Sequence, residues 1–152
     1  EGMDAQALGV ASHRKYASEG GPTFRDCFAL ARQATTRPAR EVLKLADAAI
    51  FNVIIGNADA HAKNYSLVRQ SKGEVVLAPL YDLVATHMWP ELSAKLAMRF
   101  GRAATLEEIN AGSFVRFAGD TGLARPTLRT RVLVSAIASA AADCDTSRDV
   151  DS

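Results

Sequence analysis

The sequence predicts an α+β fold that is mainly helical and carries one small β-hairpin. Two segments, 39–55 and 127–142, place apolar residues at helical spacing and are long enough to form the main helices. Between them, residues 65–80 indicate two short apolar strands around a turn at 71–74 that contains a glycine. These three segments together favour helices packed around a spine, with the hairpin on one side.

The N-terminal part predicts a short helix over residues 4–8 and a longer one over 23–34, with Pro22 suited to its first turn. The long helix over 39–55 opens after Thr35-Thr36-Arg37-Pro38. A threonine there is the candidate cap, and the proline lies near the first helical position.

Helix 39–55 is expected to be the buried spine of the domain. Its apolar face consists of Val42, Ala46, Ala49, Ile50, Val53 and Ile54. Arg40, Lys44 and Asp47 form the opposite polar stripe, on which Asp47 is expected to be solvated. Asn52 interrupts the apolar run and needs buried partners. We interpret it as a structural tie for the following loop, with direct ligand contact as the alternative.

Beyond residue 82 the pattern predicts a loop, a strand and three helices. The loop 83–90 either closes over a substrate or packs against the domain, with Trp89 as a hydrophobic anchor. Residues 95–100 predict the strand. Thr105 and Glu108 form a capping-box pattern for a helix to about Ala111, followed by a helix over 114–118. The last helix, 127–142, is expected to turn Leu128, Val132, Ile137 and Ala141 inward.

Composition indicates one globular domain, which we place at 1–146, followed by a polar tail at 147–152. Eighteen basic and seventeen acidic residues leave a net charge of +1, so bulk charge points neither to nucleic acid nor to a membrane surface. No run approaches the roughly 18 apolar residues of a membrane span. Cys27 and Cys144 are widely separated and are expected to be reduced thiols, as suits a cytoplasmic protein.

The most informative stretch follows the spine helix. After Gly56, five of the eight residues 57–64 are polar, and these five, Asn57, Asp59, His61, Lys63 and Asn64, crowd into one short loop. The hairpin that follows is expected to return Tyr81-Asp82 beside this loop. Such a density of polar side chains is unusual in a simple connection and predicts a functional site.

The spacing of these residues is typical of phosphoryl transfer from ATP. In protein kinases a catalytic aspartate precedes a metal-binding asparagine by five positions, and a second metal-binding aspartate lies downstream. Asp59 and Asn64 have the same separation, and Asp82 is the downstream carboxylate. An aspartate in such a loop is also a common turn former, so the prediction depends on all three residues together.

The segments N-A-D-A-H-A-K-N and L-A-P-L-Y-D resemble the C-terminal domain of HipA-type serine/threonine kinases, the toxins of bacterial toxin–antitoxin pairs linked to persistence. The resemblance continues upstream in Gln6-Ala7-Leu8-Gly9, Lys15-Tyr16 and Gly20-Gly21-Pro22, and downstream in Lys95-Leu96-Ala97-Met98. It covers roughly the first two thirds of the chain in the right order. The implied fold is the helical C-terminal lobe of a protein-kinase-like fold.

The resemblance implies a role for each residue of the loop. Asp59 is the catalytic residue, and His61, Ala62, Lys63, Asn64, Tyr81 and Asp82 contact ATP. Asn64 and Asp82 are the ligands of Mg²⁺. A transition-metal site at Asp59 and His61 is the weaker alternative, because no third ligand is evident.

The resemblance also implies partners, namely a HipB-like DNA-binding antitoxin and a protein substrate such as glutamate–tRNA ligase. No membrane and no direct nucleic-acid contact are expected. The family's phosphate-covering loop and nucleotide lysine have no counterpart in this sequence, so we expect the fragment alone to be inactive. The alternatives are a non-catalytic module that binds the antitoxin or another protein, and a small-molecule phosphotransferase.

Overall fold

A computed structural model of the chain describes the backbone of residues 2–3 and 20–146 and the side chains of residues 20–141. The predicted helix 4–8, the tail 147–152 and the side chain of Cys144 lie outside these residues. The described elements are β1 (Gly2–Met3), α1 (Phe24–Ala34), α2 (Pro38–Ile54), β2 (Leu67–Arg69), β3 (Val75–Leu77), β4 (Lys95–Phe100), β5 (Ala103–Thr105), α3 (Ala111–Thr121) and α4 (Arg125–Thr146), with 3-10 turns at Ala62–Asn64 and Thr86–Met88. The predicted α+β class is confirmed.

Helix α1 begins one residue later than predicted, because Thr23 is its N-cap. The Thr23 hydroxyl accepts from the Asp26 N–H, and the Asp26 carboxylate accepts from the Thr23 N–H, which completes a capping box. Pro22 therefore lies before the cap and not in the first turn. The buried face of α1 presents Phe24, Cys27, Phe28 and Ala31.

The buried Cys27 confirms the expected free thiol. Burial, with a smaller contribution from the neighbouring Asp26 charge, raises the pKa of Cys27 to about 12. The thiolate, which is the reactive form, is therefore scarce at neutral pH.

Helix α2 starts at Pro38 as expected, but the predicted threonine cap is wrong. Its N-cap is Arg37, which makes no side-chain capping bond. Thr35 instead ends α1, donating its hydroxyl to the Ala31 carbonyl at 2.6 Å. The Thr36 hydroxyl accepts from the Val75 N–H at 2.7 Å. Both threonines are therefore used by contacts with other elements, and the proline alone sets the start of α2.

The hairpin 65–80 is confirmed with shorter strands. Strand β2 pairs antiparallel with β3, with Leu67 opposite Leu77 and Arg69 opposite Val75. A strand that the sequence did not indicate, β1, pairs antiparallel with β2 at its outer edge. Leu67 and Leu77 are buried, so one face of the hairpin closes on the helical core.

The predicted strand Lys95–Phe100 is confirmed, but the capping box at Thr105 is wrong. Thr105 ends strand β5, which turns back on β4. The Glu108 carboxylate accepts from the backbone N–H of Ala104 at 2.7 Å, so it stabilises the end of the hairpin and not a helix. Helix α3 begins after Asn110, whose side chain caps the N–H groups of Gly112 and Ser113. One helix, Ala111–Thr121, thus replaces the two predicted short ones.

Helix α4 runs from Arg125 to Thr146, beyond both predicted ends. Leu128 is buried as expected and Val132 packs partly against the core. Ile137 is 69% exposed and Ala141 is exposed, so their inward assignment is wrong. Asp47 of α2 is not simply solvated, because it pairs with Arg131 of α4 at 2.9 Å.

Five phenylalanines form an aromatic cluster between α1, β4 and α3. Phe117 stacks on Phe100 with ring centroids 4.2 Å apart. Phe24 and Phe28 meet Phe117 edge-on, and Phe114 meets Phe100 nearly edge-on. Edge-to-face and offset contacts are the favoured arrangements of aromatic rings. Phe24 also contacts Tyr65, so the cluster reaches the base of the polar loop.

Candidate active site

The polar loop begins where α2 ends. Gly56 has a positive φ of 71°, and a Cβ atom there would lie 2.1 Å from the Nδ1 atom of His87. The His87 N–H and the Thr86 hydroxyl both donate to the Gly56 carbonyl. Thr86 also accepts from the Ala58 N–H at 2.8 Å. Only glycine fits where the loop passes this close to His87. The contacts of Thr86 and His87 fix the loop against the segment that follows Asp82.

Asn64 and Asp82 lie in direct contact. The Asn64 amide nitrogen donates to an oxygen of the Asp82 carboxylate at 3.2 Å. The Asn64 side-chain oxygen accepts from the backbone N–H of His61 at 2.9 Å, and Asn64 is buried. The hairpin therefore returns Asp82 to the loop, as the sequence predicts.

Asp82 has a left-handed backbone with φ of 59°. Aspartate is one of the few residues other than glycine that tolerates this region. The backbone carbonyl of Asp82 accepts from the side-chain amide of Asn57 at 3.1 Å. The unusual conformation is thus held by a buried donor on the opposite loop.

Asp59 lies on the same loop and is exposed. Its backbone N–H donates to the side-chain oxygen of Asn57 at 3.2 Å. The residue before it is tied to β4, because the Ala97 N–H donates to the Ala58 carbonyl at 2.8 Å. Hydrogen-bonded backbone at and before Asp59 therefore carries its side chain at the solvent edge of the site.

Asn52 is confirmed as a structural tie for the loop. Its amide nitrogen donates to the Ala48 carbonyl and to the Tyr65 hydroxyl, at 3.1 and 3.2 Å. Its side-chain oxygen accepts from the Asn57 amide at 2.8 Å. Burial raises the pKa of Tyr65, with the Asn52 hydrogen bond acting in the opposite sense. The phenol is therefore neutral and available as an acceptor for Asn52.

The remaining predicted site residues border this arrangement. Tyr81 is 49% exposed, and its hydroxyl donates to the Lys63 carbonyl, so it connects the returning strand to the loop. His61 is the N-cap of the 3-10 turn and Lys63 lies within it, and both are half-buried. Ala62 is buried in the core, and its carbonyl accepts from the Tyr65 N–H at 3.1 Å.

Two residues important to the site carried no predicted role. Asn57 was recognised only as one of several polar loop residues, and its partners lie up to 25 positions away. Glu41 of α2 is 1% exposed and accepts from the Leu77 N–H at 2.8 Å, which anchors β3 to the spine. A lone glutamate on a helix resembles any solvated residue in sequence, so its burial gave no signal.

The segment after Asp82 is exposed. Trp89 is 47% exposed, so the predicted hydrophobic anchor is wrong. The other exposed apolar side chains of this segment are Leu83, Val84, Met88 and Leu92. Contact of the segment with the loop depends instead on Thr86 and His87.

Among the described side chains, residues 20–141, no group of three or more His, Cys, Asp or Glu is arranged to hold a metal ion. A cation at Asn64 and Asp82 would therefore need further ligands, such as phosphate oxygens. No helix in the described part of the chain is both long and apolar enough to cross a membrane.

Comparison with known proteins gives a consistent result. A family model described as HipA-like C-terminal domain matches residues 4–145. The chain is 52% identical over 139 residues to "Putative kinase Y4mE" of Sinorhizobium fredii, covering 90% of this chain and 33% of that protein. It is 31% identical over 134 residues to the serine/threonine-protein kinase toxin HipA of Shewanella oneidensis, covering 81% of this chain and 30% of that protein.

A solved structure gives the same relationship. A chain from the complex of Shewanella oneidensis MR-1 HipA, HipB and operator DNA matches with a TM-score of 0.78 and 28% identity. The match covers 85% of this chain and 33% of that one. The chain thus spans about a third of the length of the relatives it matches.

Proposed function

The chain belongs to the HipA-like C-terminal domain family, and we propose that it is the catalytic lobe of a serine/threonine protein kinase that transfers the γ-phosphate of ATP to a protein hydroxyl. The observation that carries this proposal is the contact of Asn64 with Asp82 at 3.2 Å, beside a loop that also bears Asp59. The same three residue types at this spacing serve phosphoryl transfer in protein kinases.

In the proposed reaction, Asp59 accepts the proton of the acceptor hydroxyl as that oxygen bonds to the γ-phosphorus. The bond from the γ-phosphorus to the bridging oxygen breaks, and ADP leaves with that electron pair. The Lys63 ammonium group, on the same loop, offsets negative charge on the transferred group. The exposed position of Asp59 suits a base that must reach a protein substrate.

Asn64 and Asp82 would hold Mg²⁺, which neutralises phosphate charge when bound. Oxygen is the ligand atom that Mg²⁺ requires, whereas the Asn64 amide presents nitrogen to Asp82. A half-turn of the amide would bring its oxygen to the Asp82 side and would break the hydrogen bond from the His61 N–H to that oxygen. The two side chains would therefore share a cation only where the metal contacts replace both hydrogen bonds.

The proposal extends to partners. One relative is named a toxin kinase, and one similar structure is a complex with HipB and operator DNA. We propose accordingly that the protein pairs with a HipB-like antitoxin. From the resemblance of the loop motif alone, we further propose that its substrate is a translation component such as glutamate–tRNA ligase.

A non-catalytic binding module is the second candidate. It is favoured by the Asn64 amide, which presents nitrogen and not a metal-binding oxygen to Asp82. Such a module would bind the antitoxin without chemistry, and substitution of the carboxylates would leave its function unchanged.

The test compares Asp59→Asn and Asp82→Asn with the wild type in the full-length protein, using radiolabelled ATP and Mg²⁺. Loss of a general base lowers the rate by about 10² to 10⁴-fold. Asp120→Asn is the matched control, because Asp120 is exposed and pairs only loosely with Arg25 at 3.4 Å. Full activity of the Asp59 variant would contradict the assigned role. Antitoxin binding without Mg²⁺–ATP binding by the wild type would favour the binding module.

A further inference from the structure

The side-chain amide of Asn57 bonds to both parts of the candidate site. Its nitrogen donates to the Asp82 carbonyl at 3.1 Å and to the Asn52 side chain at 2.8 Å. Its oxygen accepts from the Asp59 N–H at 3.2 Å. Asn57 is 5% exposed, so these bonds form away from competing water.

The amide contacts Asp59 and Asp82 through backbone atoms. It fixes the main-chain position of each residue, and these bonds use no carboxylate oxygen. The loop and the returning strand are 23 to 25 positions apart in sequence at this point. One buried side chain therefore bonds to the main chain at both carboxylate-bearing residues.

Asn57 is itself fixed by the spine helix. The Asn52 side-chain oxygen accepts from the Asn57 amide nitrogen. The Asn52 amide nitrogen in turn donates to the Ala48 carbonyl within α2 and to the Tyr65 hydroxyl. Both N–H groups and the oxygen of each amide are thus satisfied. A fully satisfied buried polar network is rigid and specifies one arrangement.

We propose that Asn57 is the positioning residue of this site: it holds Asp59 and Asp82 in one fixed relation, so that the proton acceptor and the metal ligand act on the same phosphate. This inference rests on the proposed phosphoryl transfer. Supporting partners of metal ligands tune affinity by about 10 to 100-fold, and small displacements of reacting groups cost about 10²-fold in rate.

Asn57→Asp separates the two functions of the amide, which are to accept from Asp59 and to donate to Asp82. The variant keeps an oxygen that accepts from the Asp59 N–H, but it loses both donors and turns an oxygen toward the Asp82 carbonyl. We expect the Mg²⁺ concentration for half-maximal rate in the full-length protein to rise about tenfold. Asn57→Ala removes both the acceptor and the donors. In this variant kcat should fall about 100-fold, in addition to the higher Mg²⁺ requirement.

Thr121→Val is the matched control for a general loss of stability. Thr121 is 1% exposed and donates to the Phe117 carbonyl within α3. Its loss should lower Tm while the Mg²⁺ dependence stays as in the wild type. Equal Mg²⁺ dependence in Asn57→Asp and the wild type would overturn the inference, as would a shift in Thr121→Val as large as that in Asn57→Asp.

A second measurement uses the wild type, in case the Asn57 variants do not fold. Mg²⁺ and a non-hydrolysable ATP analogue are titrated while NMR follows the Asn57 side-chain amide and the backbone amide of Asp59. Both signals should shift with one dissociation constant. A stationary Asn57 signal beside a shifting Asp59 signal would overturn the inference. An inactive wild type, or an active Asp59→Asn variant, would instead remove the proposed function on which it rests.

Discussion

The loop that carries Asp59 is held by buried amides, whereas the packing of α1, β4 and α3 is held by phenylalanine rings. In the first region, Asn52 and Asn57 each make specific hydrogen bonds with few alternatives. In the second, Phe117 contacts Phe24, Phe28 and Phe100 at once. The two regions meet where Phe24 touches Tyr65, with ring centroids 6.0 Å apart.

The two regions make different contributions: the amides fix the geometry of the candidate site, and the phenylalanines stabilise the fold. Hydrogen bonds are directional and worth about 1 kcal/mol net each, so the amide network fixes positions more than it stabilises the fold. Burial of a phenylalanine is non-directional and contributes more free energy. Damage to the aromatic cluster should therefore lower stability, and damage to the amide network should alter the site.

The largest expected effect on stability is that of Phe117→Ala. Phe117 is 1% exposed at the centre of the cluster, and truncation of a buried phenylalanine costs about 3–5 kcal/mol. Urea unfolding measures the loss, and the folded variant should retain the wild-type NMR shifts of the Asn57 side-chain amide. A loss below about 1 kcal/mol, or a displaced Asn57 signal, would show that the two regions are not separable in this way.

Glu41→Gln tests the point at which the hairpin joins the spine. The Glu41 carboxylate accepts from the Leu77 N–H at 2.8 Å and lies 3.1 Å from the Lys44 ammonium nitrogen. Glutamine keeps the shape and one acceptor but loses the charge. Hydrogen bonds to charged groups are worth about 1.5–3 kcal/mol and neutral ones about 1 kcal/mol, so we expect urea unfolding to show a loss of about 1–2 kcal/mol, the difference between the two.

Glu74→Gln is the matched control for Glu41, because the same change is made in a partly exposed pair. Glu74 lies 3.0 Å from Arg37, whose side chain is 61% exposed. Exposed ion pairs contribute about 0–1 kcal/mol. An equal loss in both variants would mean that burial of Glu41 adds nothing to the attachment of β3.

The sequence predicted the contact of Asp82 with the polar loop better than the packing around it. Asn64 lies on that loop and the hairpin that returns Asp82 is short, so local spacing alone indicated that the two lie together. The pattern Thr105-x-x-Glu108 fits both a helix cap and the end of a hairpin, and only the pairing of β5 with β4 decides between them.

Long-range partners account for the other differences. Thr36 bonds to Val75 and Glu41 to Leu77, each across more than 35 positions. The inward assignment of Ile137 failed on spacing instead. Ile137 lies nine positions after Leu128, which is two and a half turns of an α-helix, so it is on the opposite face. The half-buried Ser135 and Ser139 continue the inward face, and the sequence pattern gave them no weight because they are polar.

The smallest expected effect is that of Asp47→Asn, which tests a contact that belongs to neither region. Asp47 pairs with Arg131 at 2.9 Å, and both side chains are at least a third exposed. Burial nevertheless raises the pKa of Asp47, and the attraction of Arg131 offsets this only in part. The folded state then holds the Asp47 proton more tightly than the unfolded state, so this group's contribution to stability falls as pH rises from its ordinary pKa to the raised one.

Above that window the charged Asp47 carries a small net penalty that asparagine lacks. We therefore expect Asp47→Asn to match the wild type at low pH, where the carboxyl is protonated in both states, and to equal or slightly exceed it at pH 7. Solvent screening keeps the difference below about 1 kcal/mol. Urea unfolding at the two pH values measures it. If Asp47→Asn lost more than about 1 kcal/mol of unfolding free energy at pH 7, the ion pair would have to stabilise the packing of α4 on α2.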